Sequence, residues 1–268
     1  MTLEARLSRI EKRLAERDKP KAELTFSDPL FFARHSLDFQ PDEWQERVLS
    51  WTGKRLLLNC CRQSGKSTTT AILALHRALY FAKSLILLVS PSLRQSAELF
   101  KKVSDFFAVL PIRPALIEDN KLSLQMENGS RIVSLPAKEA NVRGFSGPSL
   151  IIEDESARVS DDLYLALRPM LAVSQGQHIL MSTPWGKRGH FYENWENGAD
   201  TWERIKVAVD QCPRISPEFI VEEQRTMPHN WFASEYLCEF TDVVDAVFLQ
   251  EHIDRALSDE IEPLFSVT

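Results

Sequence analysis

Residues 61–68 read Cys61-Arg62-Gln63-Ser64-Gly65-Lys66-Ser67-Thr68, directly after the apolar run Leu56-Leu57-Leu58 and before the helix-compatible stretch Ala71-Ile72-Leu73-Ala74-Leu75. That order is strand, phosphate loop, helix. A backbone turned by Gly65 aims its N–H groups and the positive end of the following helix at phosphate oxygens. Lys66 can then reach the β- and γ-phosphates, and Ser67 can ligate Mg²⁺. The stretch therefore predicts a nucleoside-triphosphatase. The full G-x-x-x-x-G-K-[ST] pattern asks for glycine at position 60, where this chain carries Cys60.

Outward from this loop, short β-type runs alternate with helical patterns between residues 54 and 182. The runs are Leu56 to Cys60, Leu85 to Ser90, Leu122 to Met126, Arg131 to Leu135, Leu150 to Ile152 and His178 to Ser182. Between two of them Leu99, Val103, Phe106 and Leu110 form a helical stripe after Ser92. Such alternation predicts an α/β domain with a largely parallel sheet covered on both faces. Ligands of such sheets sit at the carboxyl ends of the strands. The phosphate loop, the Ser90-Pro91-Ser92 turn, an acidic cluster at 153 to 155 and the Ser182-Thr183-Pro184 turn all fall there, which predicts one active site.

The acidic cluster closes the apolar strand Leu150-Ile151-Ile152-Glu153-Asp154-Glu155. Transfer of a phosphoryl group to water needs a carboxylate that holds the Mg²⁺ ligand sphere and a group that orients or deprotonates the water. Asp154 and Glu155 are assigned those two roles in that order. Glu153 occupies a strand position where an apolar residue is usual, and a register shifted by one residue would put Glu153 in the metal-binding place.

Composition sets the outer bounds. The chain has 268 residues, 44% of them apolar, enough for one α/β domain with a small appendage. A net charge of −6 neither supports nor excludes a DNA partner. Cys60, Cys61, Cys212 and Cys238 make neither a zinc spacing nor a disulfide framework, which favours a reduced cytoplasm. The longest apolar run, Leu85 to Val89, is too short to span a bilayer, and the charged N-terminus lacks a signal-peptide core. No membrane association is expected.

Three segments follow. Residues 1–20 are dense in Glu, Lys and Arg, with Leu3, Leu7, Ile10 and Leu14 at heptad-like spacing, and read as a short helical arm closed by Pro20. Residues 21–200 are the phosphate-loop core. Residues 201–268 hold one more strand (Trp202 to Val209), a helix starting at Ser216-Pro217-Glu218, and aromatic residues Phe232, Tyr236 and Phe240 at i, i+4, i+8. These read as a small helical lid subdomain and the start of a linker.

With these residues in hand, the chain from about Phe39 to Leu257 resembles the ATPase domain of the large terminase subunit, the DNA-packaging motor of tailed phages. The resemblance implies a RecA-like P-loop NTPase of the ASCE type, with ATP and Mg²⁺ as ligands. In that family the phosphate loop is often a shortened variant with Arg at its second position, as Arg62 is here. Cys61 stands where many members carry glycine or alanine. The resemblance further implies that Gln45, in Phe39-Gln40-Pro41-Asp42-Glu43-Trp44-Gln45, hydrogen-bonds the adenine edge. Arg143, in Asn141-Val142-Arg143-Gly144, falls where the family carries an arginine finger for the neighbouring subunit's nucleotide. Ser182 and Thr183 fall in its coupling motif, and Ser216 to Phe240 in its lid. Implied partners are double-stranded DNA, further copies in a homo-oligomeric ring on the portal, and the small terminase subunit. Eleven residues follow Leu257, so the nuclease domain of the family is expected on a continuation or a separate chain, with no nuclease activity from this one. Two other readings stay open: a helicase-like DNA-dependent ATPase, and a nucleotide-gated module that assembles without hydrolysing.

Overall fold

The structure, a computed structural model, describes residues 28–138, 142 and 144–241. The expected N-terminal arm, Arg143 and the segment beyond residue 241 lie outside the described residues. Eight strands make one sheet: β1 (Arg55–Cys60), β2 (Leu85–Ser90), β3 (Leu116–Asp119), β4 (Ser123–Met126), β5 (Arg131–Pro136), β6 (Leu150–Asp154), β7 (Gln177–Ser182) and β8 (Glu203–Val207). Their spatial order is β3-β4-β5-β2-β6-β7-β1-β8. From β5 to β8 every pairing is parallel, and β3–β4–β5 add an antiparallel edge. The predicted α/β class and mostly parallel sheet are both present. Strand β7 lies between β1, which carries the phosphate loop, and β6, which carries the acids.

Period-two alternation sorts the side chains onto two faces. Leu56, Leu58, Ile86, Leu88, Leu150, Ile152, Ile179 and Met181 pack with helices α1 (Pro29–Ser36), α2 (Glu43–Leu49), α3 (Lys66–Tyr80) and α4 (Leu93–Val109). On the opposite face Leu87, Val89 and Ile151 pack with Leu163 and Leu167 of α5 (Asp161–Leu167). Leu57 and Leu180 pack there with Phe191 of α7, the helix Gly189–Glu196, which follows the short α6 (Leu171–Ser174). At about 1.5–3 kcal/mol for each fully buried aliphatic side chain, this two-sided burial is the main stabilising term.

Four sequence expectations need adjustment. Helix α4 buries Leu99, Phe100, Val103 and Phe107, so its stripe advances by four residues after Val103 and leaves Phe106 only partly covered. Strand β3 is absent from the sequence reading, because Glu118 and Asp119 are poor strand formers on an exposed edge. Strand β8 pairs with β1, so the central sheet continues into the 201–268 segment. The aromatic series 232, 236, 240 is not one helical stripe. Helix α9 (His229–Glu235), which follows α8 (Pro217–Thr226), ends before Tyr236, and Cys238 turns the chain with φ of 57°. Phe240 then packs on Tyr192 and Phe191 of α7, with ring centroids 5.1 and 6.0 Å away. Among the described residues, no helix is long and apolar enough to cross a membrane.

Candidate nucleotide site

Strand β1 is buried from Leu56 to Cys60 and then opens into a loop in which Gln63 (φ 59°) and Gly65 (φ 97°) both adopt left-handed backbone. Alternation of this kind turns successive N–H groups to one side and makes an anion-binding concavity. Gly65 is the N-cap of α3 and makes no side-chain cap bond, so the first N–H groups of that helix stay available. The two residues after Gly65 face the end of β6. Lys66 Nζ lies 3.2 Å from Glu155 Oε1, and Ser67 Oγ donates to Asp154 Oδ2 at 3.4 Å. Ser182 Oγ, at the end of β7, donates to Glu155 Oε2 at 3.3 Å. Three strand ends thus place Lys66, Ser67, Asp154, Glu155 and Ser182 together, while Thr183 lies buried beside them in sequence.

The pleat separates the two neighbouring acids of β6. Asp154 shares its face with Leu150 and Ile152, the face covered by α3, whereas Glu153 points to the other side of the sheet. Burial pushes the Asp154 carboxyl up to about 6, with Lys66 offsetting part of that rise. Burial pulls Lys66 down, but Glu155 and Asp154 raise it more, so it stays charged. Glu155 takes left-handed backbone (φ 49°, ψ 43°), which turns its side chain back toward Lys66. Cys60 is pushed up to about 12 by burial. The hydrogen bond to Cys212 (Sγ to Sγ 3.5 Å) and burial both raise Cys61. Both thiols therefore pack as small neutral groups, Cys60 at the position where the pattern has glycine.

The remaining residues assigned from sequence divide into two groups. Gln45 is buried, accepts the Asp42 N–H through Oε1 at 2.8 Å, and stands over the loop, where a Cβ on Gly65 would meet its Nε2 at 2.8 Å. Ser64 is buried with its hydroxyl unpartnered, and Thr68 Oγ1 accepts from Lys102 Nζ at 3.4 Å. Gln63 and Arg62 point outward. Arg62 pairs through Nε with Glu235 Oε2 at 2.8 Å, and its N–H donates to the Glu235 carbonyl at 3.0 Å, so the loop is fastened to the end of α9. Sequence reasoning missed Glu235 and Arg214, which contact the loop from 173 and 150 residues away. No local pattern marks either one.

A mostly parallel sheet with a phosphate-type loop after its first strand and two acids at the end of a non-adjacent strand defines a P-loop α/β fold. The family profile of the terminase large subunit, T4likevirus-type, N-terminal domain matches residues 57–255, and the chain belongs to that family. The large terminase subunits of Thermus phage G20c and Thermus virus P23-45 are each 25% identical over 248 residues, covering 79% of this chain and 51% of theirs. The chain therefore spans about half the length of these curated relatives. Among solved structures, the large terminase ATPase domain of Thermus phage P74-26 superposes with a TM-score of 0.66 at 23% identity. That match covers 79% of this chain and 97% of that one. The HK97 bacteriophage large terminase gives 0.67 at 15% identity, covering 80% and 55%. A large terminase from a thermophilic bacteriophage, in complex with ADP, gives 0.63 at 11%, covering 75% and 54%.

Proposed function

We propose that this chain is the motor part of a terminase large subunit, hydrolysing ATP to drive double-stranded viral DNA into a procapsid. The observation that carries the reading is the pair of contacts across the sheet's carboxyl edge, Lys66 to Glu155 and Ser67 to Asp154. The residues fit a nucleotide with its metal. The Ser64 hydroxyl is buried without a partner, and Asp154 is a buried carboxylate whose partners are a serine hydroxyl and one N–H. Ser67 and Asp154 would hold Mg²⁺, which supplies charge neutralisation on the phosphates.

The chain's own residues do the rest. Backbone N–H groups of residues 63–67 cradle the phosphates, and Lys66 exchanges Glu155 for the β- and γ-phosphate oxygens. Glu155, released from Lys66, orients water and accepts its proton. Ser182, already bonded to Glu155, and Thr183 register the loss of the γ-phosphate and pass it to α7 and the lid. Gln45 reads the adenine edge. Arg143, outside the described residues, reaches the neighbouring subunit's nucleotide in a homo-oligomeric ring on the portal. The division into an arm (1–20), a core (21–200, with β8 completing its sheet) and a lid with linker (201–268) belongs to this reading. So do the small terminase subunit, a nuclease on a continuation or separate chain, and the host cytoplasm as site of action. Lys66→Ala is the test: titration with labelled ATP is expected to show binding lost in a variant that still folds, and unchanged affinity and turnover would defeat the assignment.

A further inference from the structure

Arg214 lies in the turn between β8 and α8, a turn closed by hydrogen bonds from Cys212 N–H to Val209 O and from Ile215 N–H to Cys212 O, each 3.0 Å. Its guanidinium joins two distant segments. Nη2 donates to the Ser64 carbonyl at 2.6 Å, and Nη1 forms an ion pair with Asp42 Oδ2 at 2.6 Å. Asp42 in turn gives its N–H to Gln45 Oε1. A Cβ on Gly65 would stand 3.2 Å from Arg214 Nη2 and 2.8 Å from Gln45 Nε2, so both side chains close over the loop at one point.

We infer that Arg214 is a positioning residue that sets base selectivity at this site. The inference rests on the nucleotide-site reading above. Two consequences of the geometry carry it. In a trans peptide the Gly65 N–H runs antiparallel to the Ser64 carbonyl, so pinning that carbonyl to Arg214 aims the N–H to the opposite side of the loop. Clamping the Asp42 carboxylate fixes the turn before α2, and with it the N–H that engages the Gln45 oxygen; the amide nitrogen of Gln45 is then held toward Gly65. A glutamine amide discriminates bases only while its oxygen and nitrogen keep their places, since exchanging them exchanges acceptor for donor. Arginine suits the task because its planar fork serves two acceptors at once, whereas a lysine ammonium offers no fixed two-armed geometry.

The experiment compares ATP and GTP affinities, by calorimetry on the full chain, for the parent protein, Arg214→Ala, Arg214→Lys and Asp42→Asn. The parent is expected to prefer ATP. Arg214→Ala should weaken ATP by about tenfold or more and GTP by less, so that the preference shrinks, the size being that of a lost hydrogen bond to a charged group. Arg214→Lys should behave closer to the alanine variant than to the parent, and Asp42→Asn should reduce the preference while leaving Arg214 on Ser64. A merely structural arginine would weaken both nucleotides equally. An unchanged ATP-to-GTP ratio in folded Arg214→Ala, or in Asp42→Asn should the alanine variant not fold, would overturn the inference while leaving the nucleotide site standing. A parent protein that binds both nucleotides equally would also overturn it. One that binds neither would overturn the site reading as well.

Discussion

Glu153 and Asp154 are consecutive residues of β6, both buried, and opposite in nearly every other respect. Glu153 lies 2.7 Å from His178 Nε2 and 3.2 Å from His190 Nε2, and accepts from Ser156 Oγ at 3.3 Å. His190 is held in turn by Asp161, whose Oδ1 accepts its N–H at 2.7 Å, and by Tyr164, stacked with ring centroids 4.4 Å apart. Burial alone would raise the Glu153 carboxyl, but the two histidines outweigh it and hold it down at about 2. Asp154 has a long hydrogen bond from Ser67 and one from the Glu155 N–H, and burial pushes it up to about 6. The pleat sends one carboxylate to a face where two histidines and a serine surround it, and the other to a face where each oxygen accepts a single hydrogen bond. A saturated buried acid locks a structure; an unsaturated one is stored capacity for a ligand.

The largest effect that would break this contrast is kinetic. Glu155→Gln should bind nucleotide yet lower steady-state phosphate release by about 10² to 10⁴, the span of general-base catalysis, because the amide cannot accept the proton of water. Glu153→Gln, on the far face, should stay within a few fold of the parent. If Glu153→Gln stalls turnover and Glu155→Gln does not, the two faces have been assigned the wrong way round.

Stability should separate the faces in the other direction. Glu153→Ala leaves His178 and His190 buried without their shared acceptor, and breaking a buried pair in this way costs about 3–5 kcal/mol, readable by urea unfolding. A cost comparable to that of a surface substitution would mean that the His178–Glu153–His190 cluster is dispensable packing.

The pH dependence of unfolding gives a third test with its sign fixed in advance. Glu153 has a folded value near 2, below its ordinary value of 4.5, so it stabilises the fold above about 4.5 and that contribution is lost as pH falls toward 2. The loss is on the order of 3 kcal/mol. His190 runs the other way. Burial pulls it down, but the hydrogen bonds and charges of Glu153 and Asp161 more than offset this and raise it above 6.5. Its contribution is complete below 6.5 and is lost as pH rises through the folded value. Melting temperature measured from acid to mild alkali should fall on both sides, and Glu153→Gln should flatten both arms.

Much of the site was legible in sequence because its parts are local. Gly65-Lys66-Ser67 sets its own loop, and an apolar run that ends in acids sets its own strand. The sequence reading prefers Asp154 to Glu153 while leaving a one-residue shift open; strand parity relative to Leu150 and Ile152 in the structure puts the two carboxylates on opposite faces. What could not be read are partners supplied from a distance. His178 and His190 stand 25 and 37 residues from Glu153, and no spacing rule joins them to it. Glu235 on Arg62 and Arg214 on Ser64 depend on how the chain returns after β8, where Cys238 ends an apparent helical stripe with a left-handed turn. Side-chain periodicity carries no information about that return.

The smallest predicted effect is the one that most sharpens the comparison. Asp154→Asn should disable metal-dependent nucleotide binding and yet, in chelated buffer at pH 7, leave the fold as stable as the parent or more stable by about 1 kcal/mol. Ionised Asp154 sits in a place that disfavours its charge, and a neutral amide of the same shape removes that penalty. The hydrogen bonds survive the exchange: Oδ1 still accepts the Glu155 N–H, and Nδ2 can donate to Ser67 Oγ, a hydroxyl able to turn from donor to acceptor. Lys66 keeps Glu155 at 3.2 Å and is not left alone. The two isosteric changes, Glu153→Gln and Asp154→Asn, remove one charge each from adjacent positions of a single strand, so a difference in sign between them cannot come from net charge or strand propensity. Equal destabilisation by both would mean that Asp154 is as fully satisfied as Glu153, and the β6 terminus would then hold two structural acids with no capacity reserved for a cation.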